Sequence, residues 1–241
     1  MIIAYSLNNC PTDALHLFSS LACTDPTGMR PDYYSITCLL KSIPCSVSDY
    51  GNLLEDVHGF VLRNGLDADV SVENALIASC SKCCEVGLAR KVFDRMTERD
   101  VVTWNSMIAG YSHGGFYKEC KDLYTEMLNS SGFRPNGVTA LSVLQACGQL
   151  NDLLFGVDVH KYVVDNGIEL DINLRNAFIG LYAKCGSLDY ARELFEDMSE
   201  KDGVSYSTLV SGYMLHGFVD KGVELFREMK RPGLNTWNSL I

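Results

Sequence analysis

The sequence predicts an all-α fold, a solenoid of stacked helix-turn-helix units, on three observations. The segments beginning at Val70 and Ile172 match residue for residue over most of their length, and their starts lie 102 residues apart. Inside that interval lie three shorter units, residues 101–136, 137–171 and 172–202, of 36, 35 and 31 residues. Repeats of this size mark solenoids, because one unit carries more apolar surface than it can bury alone and its neighbours cover the rest. Each unit also holds two amphipathic patterns. Trp104, Met107, Ile108 and Tyr111 fall at i, i+3, i+4 and i+7, and Cys120, Leu123, Tyr124, Met127 and Leu128 resume the helical spacing after Gly114 and Gly115. The expectation is about fourteen helices in antiparallel pairs, without a sheet, in an elongated curved stack whose first helices line the concave face.

Taken in order, the chain starts part-way through a first helix, since residues 1–6 align with 107–112. A second helix from Asp13 to Leu21 and the Pro31-Asp32 pair complete the unit 1–32. The unit 33–69 is longer; Pro44 interrupts its middle, and Leu53, Val57, Phe60 and Val61 mark its second helix before Asn64-Gly65. The unit 70–100 is short and shares Asn-Ala, Lys-Cys and Ala-Arg pairs with 172–202. In 101–136, Thr103 is the expected N-cap, Gly114-Gly115 stop the first helix, and Gly132 and Pro135 close the second. The unit 137–171 answers 33–69, with Val159-His160 and Asn166-Gly167 matching Val57-His58 and Asn64-Gly65. The unit 203–233 turns at His216-Gly217 and carries a helix through Val223, Phe226 and Met229. Residues 234–241 open a further unit, and their last six, 236–241, repeat 103–108 with one change.

Composition narrows the function classes. Hydrophobic residues make up 47% of the chain, but charges or turn residues break every apolar run, which predicts a soluble chain with no membrane partner. Thirty acidic against twenty basic residues give a net charge of −10 and argue against a broad cationic surface, although a local basic track remains compatible with that total. Of the ten cysteines, Cys147 and Cys185 fall on the apolar faces of predicted helices and read as packed thiols, which points to a reducing compartment. Cys80, Cys83 and Cys84 lack a second pair or a nearby histidine that would complete a zinc set, and Cys84 stands where the later copy has Gly186, a turn residue that has drifted. His58 and His160 read as packed helix residues. No Gly-rich phosphate loop, no nucleophile with a partnered histidine and no paired carboxylates point to an enzyme or to a cofactor.

Four runs carry a family resemblance. They are V-T-W-N-S-M-I-A-G-Y at 102–111, L-Y-T-E-M at 123–127 with Pro135 after it, S-V-L-Q-A-C at 142–147, and N-A-F-I-G-L-Y-A-K-C-G at 176–186. Over essentially the whole chain the sequence resembles the pentatricopeptide repeat (PPR) family and, in its alternation of unit types, the plant PLS subfamily. The resemblance implies a right-handed α-solenoid with P-type units at 1–32 and 101–136, long units at 33–69 and 137–171, short units at 70–100 and 172–202, and a P-type or short-like unit at 203–233. It further implies binding of single-stranded organellar RNA, about one unit per base, and service as the site-recognition part of a C-to-U RNA editing factor. The resemblance places the deaminase in a C-terminal domain of the same protein or in a deaminase-bearing or other editing-factor partner in trans; its His-x-Glu and Pro-Cys-x-x-Cys zinc signature has no match in these residues. Either organelle fits, with the mitochondrion slightly ahead.

Residue chemistry bears on the reading positions independently. Asparagine is a mediocre helix former, yet Asn74, Asn105, Asn176 and Asn238 recur one turn into their first helices. Local capping would explain them; so would base readout, since a carboxamide offers donor and acceptor together. The resemblance pairs this fifth position with the last residue of the unit: Asn74 with Asp100, Asn105 with Asn136, Asn176 with Asp202, and Thr37 with Asp69. It associates Asn plus Asp with uracil, Asn plus Asn with cytosine or uracil, and Thr plus Asp with guanine. Leu141 beside Asp171 departs from the pattern. Ser207 has only Gly233 or Asn235 as its partner. Val102 and Val204 occupy the position that presses against a base, or else pack in the core. The alternative is a protein-protein interaction scaffold, which the acidic balance favours and the recurring Asn and Asp positions oppose.

Overall fold

The computed structural model describes residues 1–8, 10–24, 30–43, 51–130 and 132–229. Among these residues there are fourteen α-helices, one 3-10 turn and no strand. The helices are α1 (Ile2–Leu7), α2 (Pro11–Thr24), α3 (Tyr33–Ser42), α4 (Gly51–Arg63), α5 (Val70–Lys82), α6 (Val86–Arg95) and α7 (Val101–His113), then α8 (Tyr117–Asn129), α9 (Gly137–Leu150), α10 (Leu153–Asp165), α11 (Ile172–Lys184), α12 (Leu188–Glu196), α13 (Gly203–Leu215) and α14 (Val219–Glu228). The 3-10 turn spans Leu66–Ala68. The chain forms two compact units, Met1–Phe116 and Tyr117–Ile241. In the first, α1, α3, α5 and α7 pack one on the next while α2, α4 and α6 bridge successive first helices or lie against them; in the second, α9, α11 and α13 do the same with α8, α10, α12 and α14. Pro44 and Asn238 lie outside the described residues.

The starts of six first helices share one device. An Asp or Asn immediately before the helix, in extended backbone, accepts a hydrogen bond from an amide of the first turn: Asp32 before α3, Asp69 before α5, Asp100 before α7, Asn136 before α9, Asp171 before α11 and Asp202 before α13. Each cap satisfies one of the orphan donors of a helix start and is worth about 1 kcal/mol. The expectation that Thr103 caps α7 is corrected here: Asp100 is the cap, and Thr103 is the third helical residue, returning a bond to the Asp100 amide in a capping box. Asp100 wins because its backbone is extended (φ −120°, ψ 179°), outside the helix, and it offers a carboxylate acceptor.

Between first and second helices the chain turns through a left-handed residue. Gly115, Gly186 and Gly217 supply it after α7, α11 and α13, but between α9 and α10 the residue is Asn151, at φ 53°, and between α5 and α6 it is Cys84, at φ 63°. The later copy has Gly186 there at φ 84°, in agreement with a drifted turn glycine. In the pair Gly114-Gly115 only Gly115 takes positive φ.

The 102-residue period survives into packing. Phe93 meets Trp104 edge-on at 5.1 Å and 81°, and Phe195 meets Tyr206 at 5.0 Å and 80°. Arg99 lies over Phe93, and Lys201 over Phe195. Both phenylalanines are fully buried, and each edge-to-face pair adds about 0.5 to 1.5 kcal/mol beyond the area it buries. First helices approach closely at matched glycines. A Cβ on Gly110 would lie 2.2 Å from Ser81 Oγ, and one on Gly212 would lie 2.5 Å from Ala183 Cβ. Trp104, Met107, Ile108 and Tyr111 are all buried, as are Cys120, Leu123, Tyr124 and Met127. Two expectations are corrected. Leu128 is 39% exposed, at the rim of the apolar stripe, and Met229 stands just past α14, whose last turn ends at Glu228 with Met229 in extended backbone.

Candidate nucleic-acid interface

The reading positions named from sequence meet in two places. Asn74, on α5, donates from Nδ2 to Asp100 Oδ1 at 3.1 Å, and Asn176, on α11, donates to Asp202 Oδ1 at 3.3 Å. The two pairs are 102 residues apart and lie in separate compact units. The receiving oxygen is the one that caps the next first helix: Asp100 Oδ1 also accepts from the Thr103 amide and hydroxyl, and Asp202 Oδ1 from those of Ser205. Neither asparagine caps its own helix, which removes the capping explanation for these two. Their Oδ1 atoms are buried without a hydrogen-bond partner. Leaving a buried acceptor unpaired costs about 1 to 3 kcal/mol, so stability alone does not account for an amide at these positions.

Electrostatics follow from the same contacts. Burial works against the charge on Asp100, but the Thr103 amide and hydroxyl and the Asn74 amide outweigh it and hold the carboxyl below its ordinary value. Asp202 is held down in the same way, burial being outweighed by Ser205 and Asn176. Both groups are therefore carboxylates at neutral pH, acceptors only.

A groove of about 510 Å³ opens on this face of the first unit, lined by Asn74, Asp100, Ser71 and Val102 with Lys41 and Lys82 at its margin. Lys41, Lys82 and Lys184 each stand in the last turn of a first helix, at the opposite end from the capping carboxylates. A chain of net charge −10 thus carries local cations in the groove that also holds Asn74 and Asp100.

The remaining named residues separate into distinct cases. Val102 and Val204 are each 56% exposed at the second position of their helices, so they do not pack in the core. Thr37 and Asp69 are not joined: the buried Thr37 hydroxyl bonds back to the carbonyls of Tyr33 and Tyr34, while Asp69 caps α5 through Ser71. Ser207 Oγ bonds to the Val204 carbonyl in its own helix. Asn105, half-buried on α7, belongs to the first compact unit, and Asn136, capping α9, to the second. Two residues were missed. Val138 and Tyr34 occupy the same second position and are 56% and 54% exposed, a register the sequence already displayed. His160 stacks on Phe178 and bonds Tyr182 Oη at 2.9 Å, a packed aromatic cluster, and burial lowers its pKa.

Comparison with known proteins matches this geometry to one family. The PPR repeat family model matches residues 99–149, and the PPR repeat model matches 74–101, 175–202 and 204–234, together just over half of the chain. This chain belongs to the PPR family. It is 52% identical over 210 residues, 86% of its length, to the pentatricopeptide repeat-containing protein At2g37310 of Arabidopsis thaliana, spanning 32% of that protein. Two more Arabidopsis PPR proteins are similar: chloroplastic At1g74600, at 35% identity over 97% of this chain and 25% of that one, and mitochondrial At4g31070, at 37% over 85% and 32%. The chain thus spans about a third or less of the length of these relatives. Among solved structures it resembles the PPR protein PPR10 in complex with an 18-nt psaJ RNA element, with a TM-score of 0.83 and 17% identity over 99% of this chain and 36% of that one. The fold is the all-α PPR solenoid. No described helix is long and apolar enough to cross a membrane.

Proposed function

We propose that this PPR chain binds single-stranded RNA in a plant organelle and reads its sequence, as the site-recognition part of a C-to-U editing factor of the PLS type. The observation that carries the reading is the repeated pair Asn74–Asp100 and Asn176–Asp202, in which a side-chain bond joins one unit's fifth residue to its last, beside a groove. Beyond the N–H it gives the carboxylate, the asparagine amide carries a second N–H, a donor that complements the O4 of an unstacked uracil. Val102 and Val204 would press on the base, and Lys41 and Lys82 would meet phosphates. The RNA match to PPR10 and the chloroplastic and mitochondrial relatives support RNA and an organelle.

Read 5′ to 3′, residues 70–202 prefer U, then C or U for Asn105 with Asn136, then any base opposite Leu141, then U. Thr37 with Asp69 contributes little, because the Asp69 carboxylate is engaged by Ser71 of the following helix and does not meet the threonine, whereas Asp202 faces position 176. Asn176→Thr beside Asp202 tests the register. It should turn the last preference from U to G and leave the others unchanged, a switch worth about 1 to 3 kcal/mol in titrations against two oligonucleotides differing at that base. Equal loss on both oligonucleotides refutes the readout at Asn176.

One observation favours a protein scaffold as well. On α10 the outward stripe Leu154, Val157 and Val164 is exposed, where the first copy has Asn52, Glu55 and Leu62. RNA binding that is absent even at low salt, with a protein partner captured by this face, would decide for that reading.

A further inference from the structure

The third residue of each first helix divides the units into two groups. It is a hydroxyl residue, fully buried, behind the last residue of every pair whose fifth residue is asparagine: Thr103 behind Asp100, Thr139 behind Asn136 and Ser205 behind Asp202. Behind the long units, whose fifth residues are Thr37 and Leu141, it is Val72 and Leu174. Capping does not require the hydroxyl, because Asp171 caps α11 through the Leu174 amide alone, at 2.8 Å. Asp32 and Ser35 have the hydroxyl too, after the unit 1–32, whose first residues align with 107–112, past the fifth position.

What the hydroxyl adds is a two-way clamp. Ser205 Oγ donates to Asp202 Oδ1 at 2.9 Å and accepts from the Asp202 amide at 3.3 Å; Thr103 Oγ1 does the same to Asp100, at 2.9 and 3.1 Å. Side chain and backbone of the acidic residue are thereby tied to one buried atom, which leaves the carboxylate a single orientation. The Asn Nδ2 bond ends on that clamped oxygen. At Asp171, which has the amide bond but no clamp, no fifth-position side chain is attached. A reading pair discriminates bases only if its donors and acceptors are held within about 0.5 Å of the productive geometry, which is what a locked carboxylate provides.

We propose that Ser205 and Thr103 are positioning residues for base readout, each locking the carboxylate against which the neighbouring reading asparagine is oriented. The proposal rests on the RNA-reading function above and assigns a role to a position that contacts no base.

The test uses the whole chain with Ser205→Ala and Ser205→Thr, titrated at low salt with oligonucleotides carrying U or C opposite Asn176 or opposite Asn74. Ser205→Ala should reduce U-over-C discrimination opposite Asn176 about five-fold, the factor that one hydrogen bond of about 1 kcal/mol corresponds to, and leave it unchanged opposite Asn74. Ser205→Thr, which carries the hydroxyl of the first copy, should restore it. Without RNA, the Asn176 side-chain amide should give a distinct NMR resonance in the parent and in Ser205→Thr and an averaged one in Ser205→Ala. Affinity lost equally for U and C, with the ratio kept, means a structural role only and overturns the proposal, as does an Asn176 amide signal indifferent to Ser205→Ala. A parent chain that does not distinguish U from C at either position removes the base-reading function, and the positioning role with it.

Discussion

Asp171 and Asp202 make the same cap at the start of successive first helices, yet removing them should cost different amounts. Asp171→Ala loses one acceptor, for the Leu174 amide at 2.8 Å, a change of about 1 kcal/mol. Asp202→Ala loses an acceptor for three donors: the Ser205 amide at 2.8 Å, the buried Ser205 hydroxyl at 2.9 Å and Asn176 Nδ2 at 3.3 Å. The cap contributes about 1 kcal/mol, and stranding a buried hydroxyl and an amide adds about 1 to 3 kcal/mol more, short of a simple sum because Ser205 can turn to a carbonyl one turn back. The total is about 2 to 4 kcal/mol. Because a solenoid opens locally, the assay is native-state hydrogen exchange at the first-turn amides of α11 and α13 rather than one global melt. Asp202→Ala should accelerate exchange in α13 about 30-fold or more, and Asp171→Ala in α11 about five-fold. Asp202→Asn should stay close to the parent, since Asn136 makes the same box with Thr139. Equal acceleration by the two alanine variants would refute the account of a shared oxygen.

Three further outcomes follow from other contacts. Cys84→Gly should raise stability by about 0.5 to 1 kcal/mol in thermal unfolding, because glycine relieves the left-handed backbone at φ 63°, whereas Gly186→Ala should lower it by a similar or larger amount. Gly212→Val should destabilise by about 1 to 3 kcal/mol despite the helix propensity it gains, since its Cβ would stand 2.5 Å from Ala183 Cβ and force α11 and α13 apart. Asp100 and Asp202, both depressed in the folded state, give stability that is present above the ordinary carboxylate range and lost as pH falls through their folded values; helicity followed below about pH 4 should fall less steeply in the double Asp→Asn variant.

Helix placement was legible because it rests on periodicity: Trp104, Met107, Ile108 and Tyr111 define a face that has only one way to be buried. The drift at Cys84 was legible because a second copy with Gly186 stood 102 residues on. Cap identity was not, since Asp100 and Thr103 are both good cap formers three residues apart, and only the backbone decides which lies outside the helix. The stripe edge at Leu128 was ambiguous because period alone does not fix how far a neighbour reaches around a helix. At the candidate site the sequence pointed to Asn74 and Asp100 as partners but not to the oxygen they share with Thr103, and it gave Thr37 a role that the engagement of Asp69 by Ser71 contests.

That shared oxygen places a filter ahead of any recognition. A substitution at Asp100, Asn136 or Asp202 must first be acceptable to the helix that follows, and only a short side chain with an oxygen at the right reach, as in Asp, Asn, Ser or Thr, meets that demand. Of twenty amino acids, folding leaves about four letters for writing at these positions. Retargeting such a chain by mutation would therefore move in small steps through a restricted alphabet, with most other changes loosening the following helix before any gain in recognition.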